Sequence, residues 1–283
     1  MANNFSGDAN CVALYTFEDD WPTNDSLEDH KGGNDLSTEG DNDPFCPTRT
    51  AHGETPPPAE GTYCATFEVS YDEFFELADG SLDSGFPGKS SGGATDISVT
   101  AWVKLDSMSS ARTVTSKWDG GNNERTWRID VATDGGVIFY LGYNNGGSYV
   151  GFDHEGAIES GDWHHIGVIY DDDGGADSKG KLKIRVYDDD AGAILQSSGS
   201  DNYEADCGQQ MSLDTAPFGL GTGYYGGSSS DEFDGSMDEA VIFDDILTDD
   251  EIDEIRAGTY GAGGGEDILK QATYYYQMLR NWN

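Results

Sequence analysis

Apolar and polar residues alternate in short runs along most of this chain. The pattern is clearest at residues 12–17 (VALYTF), 97–103, 126–131, 137–143, 164–170, 182–187 and 240–243. Alternation with a period of two places one set of side chains on each face of a strand, which is how a sheet with one buried face is written. Between the runs lie turn formers such as DGG at 134–136 and NNGG at 144–147, which supply the positive φ angles of tight hairpins. Many short strands without long intervening helices predict an all-β fold, an antiparallel sandwich of the jelly-roll kind. At 283 residues the chain is long enough to bury a core without staples.

Two stretches break the pattern. LTDDEI at 247–252 has the form of a helix start, with Thr248 as N-cap, Glu251 as its capping-box partner and Leu247 packing on Ile252. Gly258 is placed to stop that helix after about two and a half turns. A glycine hinge, GAGGG at 261–265, then precedes a segment in which Ile268, Ala272, Tyr275, Leu279 and Trp282 recur at steps of four and three, a single helical stripe. The expected organisation is a sandwich over 1–260 and a hinge with an amphipathic helix over 261–283. Ile268, Tyr275, Leu279 and Trp282 are expected to anchor the module to a partner or to a neighbouring copy in a homo-oligomer; docking back on its own sandwich is the other reading.

Charge narrows the setting. Acidic residues number 54 against 15 basic ones, a formal net of −39. Molar salt shortens the Debye length to about 3 Å and removes most of the resulting self-repulsion, so the acidity predicts life in very salty water; an acidic, calcium-binding secreted protein is the other reading. Nucleic acid is excluded as a partner, because no basic stripe opposes the repulsion of a polyanion. No run of 18 apolar residues is present to span a membrane. The opening MANNFSGDANC lacks the basic and apolar regions of a secretory signal.

Four cysteines, Cys11, Cys46, Cys64 and Cys207, show no C-x-x-C spacing, against a zinc site. They allow two disulfides in three connectivities, or buried thiols. The pairing expected is Cys46 with Cys64, closing the loop that holds Pro56, Pro57 and Pro58.

The ordered motifs resemble the laminin-G-like, concanavalin A-like jelly rolls of lectins and glycan-active enzymes. The matching stretches are YTFE at 15–18, the loop from Asp25 to Asp35, ISVTAWV at 97–103, DWHHIGV at 162–168, GSMDEAVIF at 235–243 and the LTDDEI helix start. The resemblance implies a structural calcium where the first strand, its loop and the near-final strand meet, with Glu18, Asp25, Asn34 and Asp238 as oxygen donors, the ligand type that hard cation takes.

Two further motifs point to chemistry and are set aside. His164 and His165 are consecutive on a strand, so their rings face opposite sides of the sheet and do not chelate one ion. EIDE at 251–254 resembles part of the paired-acid signature of β-sandwich glucanases, but lies on the capped helix, where its acids point outward. With no G-x-S-x-G, H-E-x-x-H or phosphate loop, no catalytic residue is assigned.

Glycan binding is the expected function, carried by rings that stack on sugar faces and amides that bond hydroxyls. Three loops offer both: Trp118 with Asn122 and Asn123; Tyr143 with Asn144, Asn145 and Tyr149; and Tyr224 with Tyr225. The reading is a non-enzymatic, lectin-like extracellular module. The absence of an export signal suits the surface of a virion released by lysis, as a decoration, turret or tail-fibre protein of a virus of salt-loving archaea that contacts host glycans or stabilises a shell. A secreted hydrolase, lyase or accessory module of the same fold is the alternative.

Overall fold

A computed structural model describes residues 3–38, 46–51, 61–155, 158–175, 179–197 and 200–261. The alternating runs become strands. Ile97–Leu105, Val137–Tyr143, His164–Asp171, Lys181–Asp188 and Gly235–Phe243 enclose or match the expected segments, Glu124–Val131 starts two residues earlier, and the first strand is Cys11–Tyr15.

Among the described residues these strands form two sheets. The nine-stranded sheet runs from Ala193–Leu195 through Lys181–Asp188, His164–Asp171, Ile97–Leu105, Gly235–Phe243 and Tyr63–Phe67 to Thr48–Ala51, with Cys11–Tyr15 on Gly235–Phe243 and Tyr203–Asp206 on Lys181–Asp188. The ten-stranded sheet is led by Ser148–His154, Val137–Tyr143, Glu124–Val131 and Arg112–Asp119, and continues through Phe218–Leu220 to Ser26–Leu27. Pairing between these strands is antiparallel except for one parallel contact, Tyr224 beside Asp119.

The inner faces meet in one apolar core. Trp127, Ile129, Phe139 and Leu141 of the ten-stranded sheet face Val99, Ala101, Ile166, Val168 and Ile184 of the other, and the rings of Phe139 and Tyr170 stack 6.0 Å apart across the gap. One strand the alternation did not reveal is Arg112–Asp119. Its Thr113, Thr115, Ser116 and Lys117 are all buried, so no apolar alternation marks it. Lys117 is tolerated inside because its Nζ lies 2.8 Å from Asp79 and donates to the carbonyls of Asp214 and Ala216, which is what a buried charge requires.

The helix forms where the capping signal put it, Asp249–Arg256. Thr248 Oγ1 accepts the Glu251 N–H, and the Glu251 carboxylate accepts the Thr248 N–H at 2.8 Å; Gly258 follows at φ 68°. Ile252 and Ile255 pack with Leu247, Phe5, Phe243 and Tyr260 on the outer face of the nine-stranded sheet. Gly167 makes room for them, since a Cβ there would stand 2.9 Å from Ile252 Cγ2. The acids of EIDE, expected to point outward, do not all do so: Asp253 bonds Arg185 at 2.7 Å, and with Asp249, which bonds Lys183 at 2.7 Å, it ties the helix to the sheet. On that same face the described ends clasp one another. Asn4 N donates to Tyr260 O at 2.7 Å, and Tyr260 N to Asn3 Oδ1 at 2.8 Å.

The expected Cys46–Cys64 disulfide does not form. Thr50 stands opposite Cys64, and Cys46 lies four residues further along, about 13 Å away at strand rise, where a bridge needs Cα atoms within ~7 Å. Cys64 Sγ instead donates to Thr50 O, and burial pushes its thiol up to about 11. No helix among the described residues is long and apolar enough to cross a membrane. The anchoring stripe of Ile268, Tyr275, Leu279 and Trp282 lies outside the described residues.

Candidate functional site

The outer face of the ten-stranded sheet carries a cleft of about 300 Å³ between the strand ends and their hairpins, lined among others by Trp118, Arg125, Arg128, Asp130, Tyr140, Tyr149, Tyr225 and Asp231. Strand geometry assembles it. Trp127, Ile129 and Phe139 point into the core, so Arg128, Asp130 and Tyr140 are forced outward by the period of two. Tyr149 follows on Ser148–His154 by the same rule, since Val150 packs on the core side. Gly151 is directly opposite Tyr140, and a Cβ there would meet the Tyr140 ring at 2.8 Å; glycine lets that ring lie across its neighbour strand.

The aromatic wall is a contact set. Trp118 packs against Tyr140 at 6.1 Å and Tyr149 at 5.4 Å between centroids, and Tyr140 against Tyr149 at 6.0 Å. Trp118 is buried by this packing, at 6% exposure, while Tyr149 stays 54% and Tyr225 71% exposed. The floor is ionic. Arg128 Nε donates to Asp130 Oδ1 and its Nη2 to Asp231 Oδ2, both at 2.7 Å. Burial works against the Arg128 charge, yet Asp130 and Asp231 together hold its pKa above the usual range. Burial likewise pushes the Asp130 carboxyl upward, and Arg128 opposes it.

Three hairpins form the rim, and two side chains lock them. Asp119 accepts from Gly121 N, Asn122 N and Asn122 Nδ2 in its own turn, and from Gly226 N at 2.7 Å and Gly227 N at 2.8 Å in the turn that carries Tyr225. Burial alone would raise its carboxyl; the N–H bonds from Asn122, Gly226 and Gly227 bring it below the usual range. Arg125 Nη1 donates to Asn123 Oδ1 and Gly146 O, and Nη2 to Gly120 O, with its guanidinium carbon 5.8 Å and 5.6 Å from the Trp118 and Tyr149 rings.

Of the expected glycan residues, the fold gathers Trp118, Tyr149 and Tyr225 into the cleft lining. It uses the others differently. Tyr224 is buried with its hydroxyl on Glu76 Oε2 at 2.6 Å. Asn122 bonds Asp119, and Asn123, Asn144 and Asn145 occupy positive-φ turn positions at 60°, 55° and 53°. Tyr143 is half-buried at the foot of its hairpin, opposite Ser148. Arg125, Arg128, Asp130, Tyr140 and Asp231 were not expected. The R-x-D spacing of Arg128 and Asp130 on an alternating strand was the available signal.

The implied calcium donors do not converge. Glu18 Oε1 accepts two backbone N–H groups, from Thr62 and Tyr63, each at 2.7 Å. Asn34 Oδ1 accepts from Asp83 N and its amide donates to Val12 O and Asp29. Asp25 caps a short helix at φ 53°, and Asp238 is buried in Gly235–Phe243 opposite Trp102, with Oδ1 on Glu239 N. Among the described residues no three carboxylate, imidazole or thiol side chains are grouped to hold a metal, so these four do not fit the ion as one site. His164 and His165 divide between faces as expected: His165 meets Trp102 edge-on at 5.1 Å on the helix-covered side, and burial, reinforced by Arg256 and Arg185, pushes it down to about 3.

A family model, Laminin_G_3, described as the concanavalin A-like lectin/glucanases superfamily, matches residues 83–253, well over half of the chain. The chain belongs to this superfamily. Solved structures of similar fold include domain 4 of AbnA, a GH43 extracellular arabinanase from Geobacillus stearothermophilus, in complex with arabinotriose. It is 17% identical over 87% of this chain and 98% of that one, with a TM-score of 0.50. The binding domain of botulinum neurotoxin DC in complex with SialylT is 9% identical over 89% of this chain and 52% of that one, with a TM-score of 0.52. No curated protein matches the sequence. Within this lectin/glucanase module the matched span contains every cleft residue named above.

Proposed function

We propose that the chain is a non-enzymatic, lectin-like module whose cleft binds a saccharide in high salt. The observation that carries this is the exposure of Tyr149 and Tyr225. Only four large apolar or aromatic side chains among the described residues are strongly exposed, and two of them flank this one cleft. A ring kept open to water, backed by Trp118 and set beside an exposed carboxylate at Asp231, is suited to a ligand with apolar faces and hydroxyl edges. The arabinanase domain and the neurotoxin domain, similar in fold, are seen in complex with arabinotriose and SialylT, which agrees with this use of the architecture.

The test is retention on an immobilised glycan panel in molar salt. Tyr149→Ala and Tyr225→Ala are each expected to weaken binding at least about ten-fold, ~1.4 kcal/mol. Unchanged retention in both would remove the cleft from the reading.

The alternative is hydrolysis, favoured by one observation: a carboxyl pushed up by burial, Asp130, faces a second one, Asp231, across Arg128, and glycosidases work with a paired acid and base. Against it, both carboxylates are held by the guanidinium between them, so neither is left to deliver a proton. Turnover of any panel member, abolished by Asp130→Asn, would establish the enzyme.

The proposal extends to location. An excess of 54 acids over 15 bases supports work in concentrated salt, and we place the module on an outer surface, that of a virion of a virus of salt-loving archaea, attached through the segment after residue 261. Peptide mapping of purified particles tests this, and absence of the chain from them removes the virion.

A further inference from the structure

We infer that the cleft selects neutral saccharides and turns away acidic ones, because both guanidiniums within it are already committed to groups of this chain. The inference rests on the cleft being a saccharide site and adds the ligand's charge class.

A carboxylate, sulfate or phosphate on a sugar is taken up tightly when two nitrogens along one edge of an arginine are free to donate in parallel. Arg128 has no such edge. Its Nε donates to Asp130 and its Nη2 to Asp231, while Nη1 lies against Gly223, where even a Cβ would come within 2.8 Å. Arg125 is held at both terminal nitrogens by Asn123, Gly146 and Gly120. Taking up an acid there would undo the bonds that join two of the rim hairpins. The two arginines and two aspartates leave the lining with no net positive charge, and it sits in a chain of formal charge −39. In dilute buffer that field repels anions. In molar salt the field is screened to about 3 Å, and only the occupied guanidiniums remain to discriminate. What the cleft leaves open is ring face, at Tyr149 and Tyr225, and the acceptor oxygens of Asp231, whose side chain is 46% exposed. Those are matched to the C–H faces and hydroxyl donors of an uncharged sugar.

The experiment uses the full chain in molar salt and matched probes: lactose with 3′-sialyllactose, and xylotriose with its glucuronic-acid-substituted form, each measured by calorimetry alongside Tyr149→Ala. A neutral probe bound at least about ten-fold more tightly than its acidic counterpart, and lost in Tyr149→Ala, supports the inference. An acidic probe bound as tightly as its neutral partner or better, and also lost in Tyr149→Ala, overturns the inference and leaves the saccharide site standing. Binding of no probe, or binding that Tyr149→Ala leaves intact, overturns both. Asp231→Asn supplies an independent arm, since it removes the negative charge that competes with an acidic ligand for Arg128 Nη2 and leaves a side chain of the same size in place. The acidic probes are expected to gain about ten-fold in this variant, and no gain would mean that Arg128 is not what excludes them.

Discussion

Replacing Asp119 by alanine should detach one wall of the cleft from the other. The carboxylate is buried and accepts five N–H groups. The three from Gly121 and Asn122 are local to its own turn, and water can replace much of what they contribute. The two from Gly226 and Gly227 cross to the hairpin bearing Tyr225, at 2.7 Å and 2.8 Å. Hydrogen bonds to a charged partner contribute ~1.5–3 kcal/mol each, so the cross-loop pair alone puts the loss at about 3–6 kcal/mol. Asp119→Asn should lose about 2 kcal/mol, because its NH₂ turns one acceptor into a donor facing a donor. The sign with pH is fixed by the lowered carboxyl pKa. The contribution is complete above the unfolded value of about 3.9 and disappears as pH falls through the lower folded value. Urea unfolding in molar salt, followed by tryptophan fluorescence near neutral pH and at pH steps below 4, measures both, with glycan retention as a parallel readout. An Asp119→Ala protein within about 1 kcal/mol of wild type, with its retention intact, would refute the clamp.

Other outcomes follow from the same structure. The chain should loosen or unfold on dialysis to low ionic strength, seen as loss of near-ultraviolet circular dichroism; equal stability in dilute and molar salt would end the argument from acidity. Gly167→Val should cost about 1–3 kcal/mol by overpacking against Ile252, measured by thermal unfolding. The histidines His154, His164 and His165 are each lowered, chiefly by burial. Their unfolded forms therefore bind protons first, and stability should be full above about pH 6.5 and fall as pH drops towards 3. Reducing agent should leave the melting temperature unchanged, since Cys46 and Cys64 are not bridged.

What the sequence disclosed and what it concealed have one physical origin. Strands such as Lys181–Asp188 were legible because one face, with Leu182, Ile184 and Val186, is apolar and the other, with Lys181, Lys183 and Arg185, is not. Arg112–Asp119 was not, because its inward lysine is neutralised by Asp79, a partner 38 positions away in the chain, and no local pattern encodes such a pairing. Trp118, Tyr149 and Tyr225 stood out as aromatics beside glycine turns. The asparagines beside them carry a second signal that the motif did not separate, since the same residue type serves hydroxyl recognition and left-handed turns, and Asn123, Asn144 and Asn145 hold left-handed turn positions. Asp231 was invisible for a third reason: its place in the cleft is set by Arg128, which folding brings to it from a strand 103 positions away in the chain.

The clasp of Asn3 and Asn4 with Tyr260 has a consequence for how the module is carried. The clasp sits on the helix-covered outer face of the nine-stranded sheet, and the cleft opens on the outer face of the other sheet. Entry and exit of the described chain are thus adjacent, and both lie behind the sandwich when it is viewed into the cleft. A fold plumbed this way is suited to use as a cassette: spliced into a surface loop of a scaffold through residues 3 and 261, it is expected to present the tyrosine-lined side away from that scaffold.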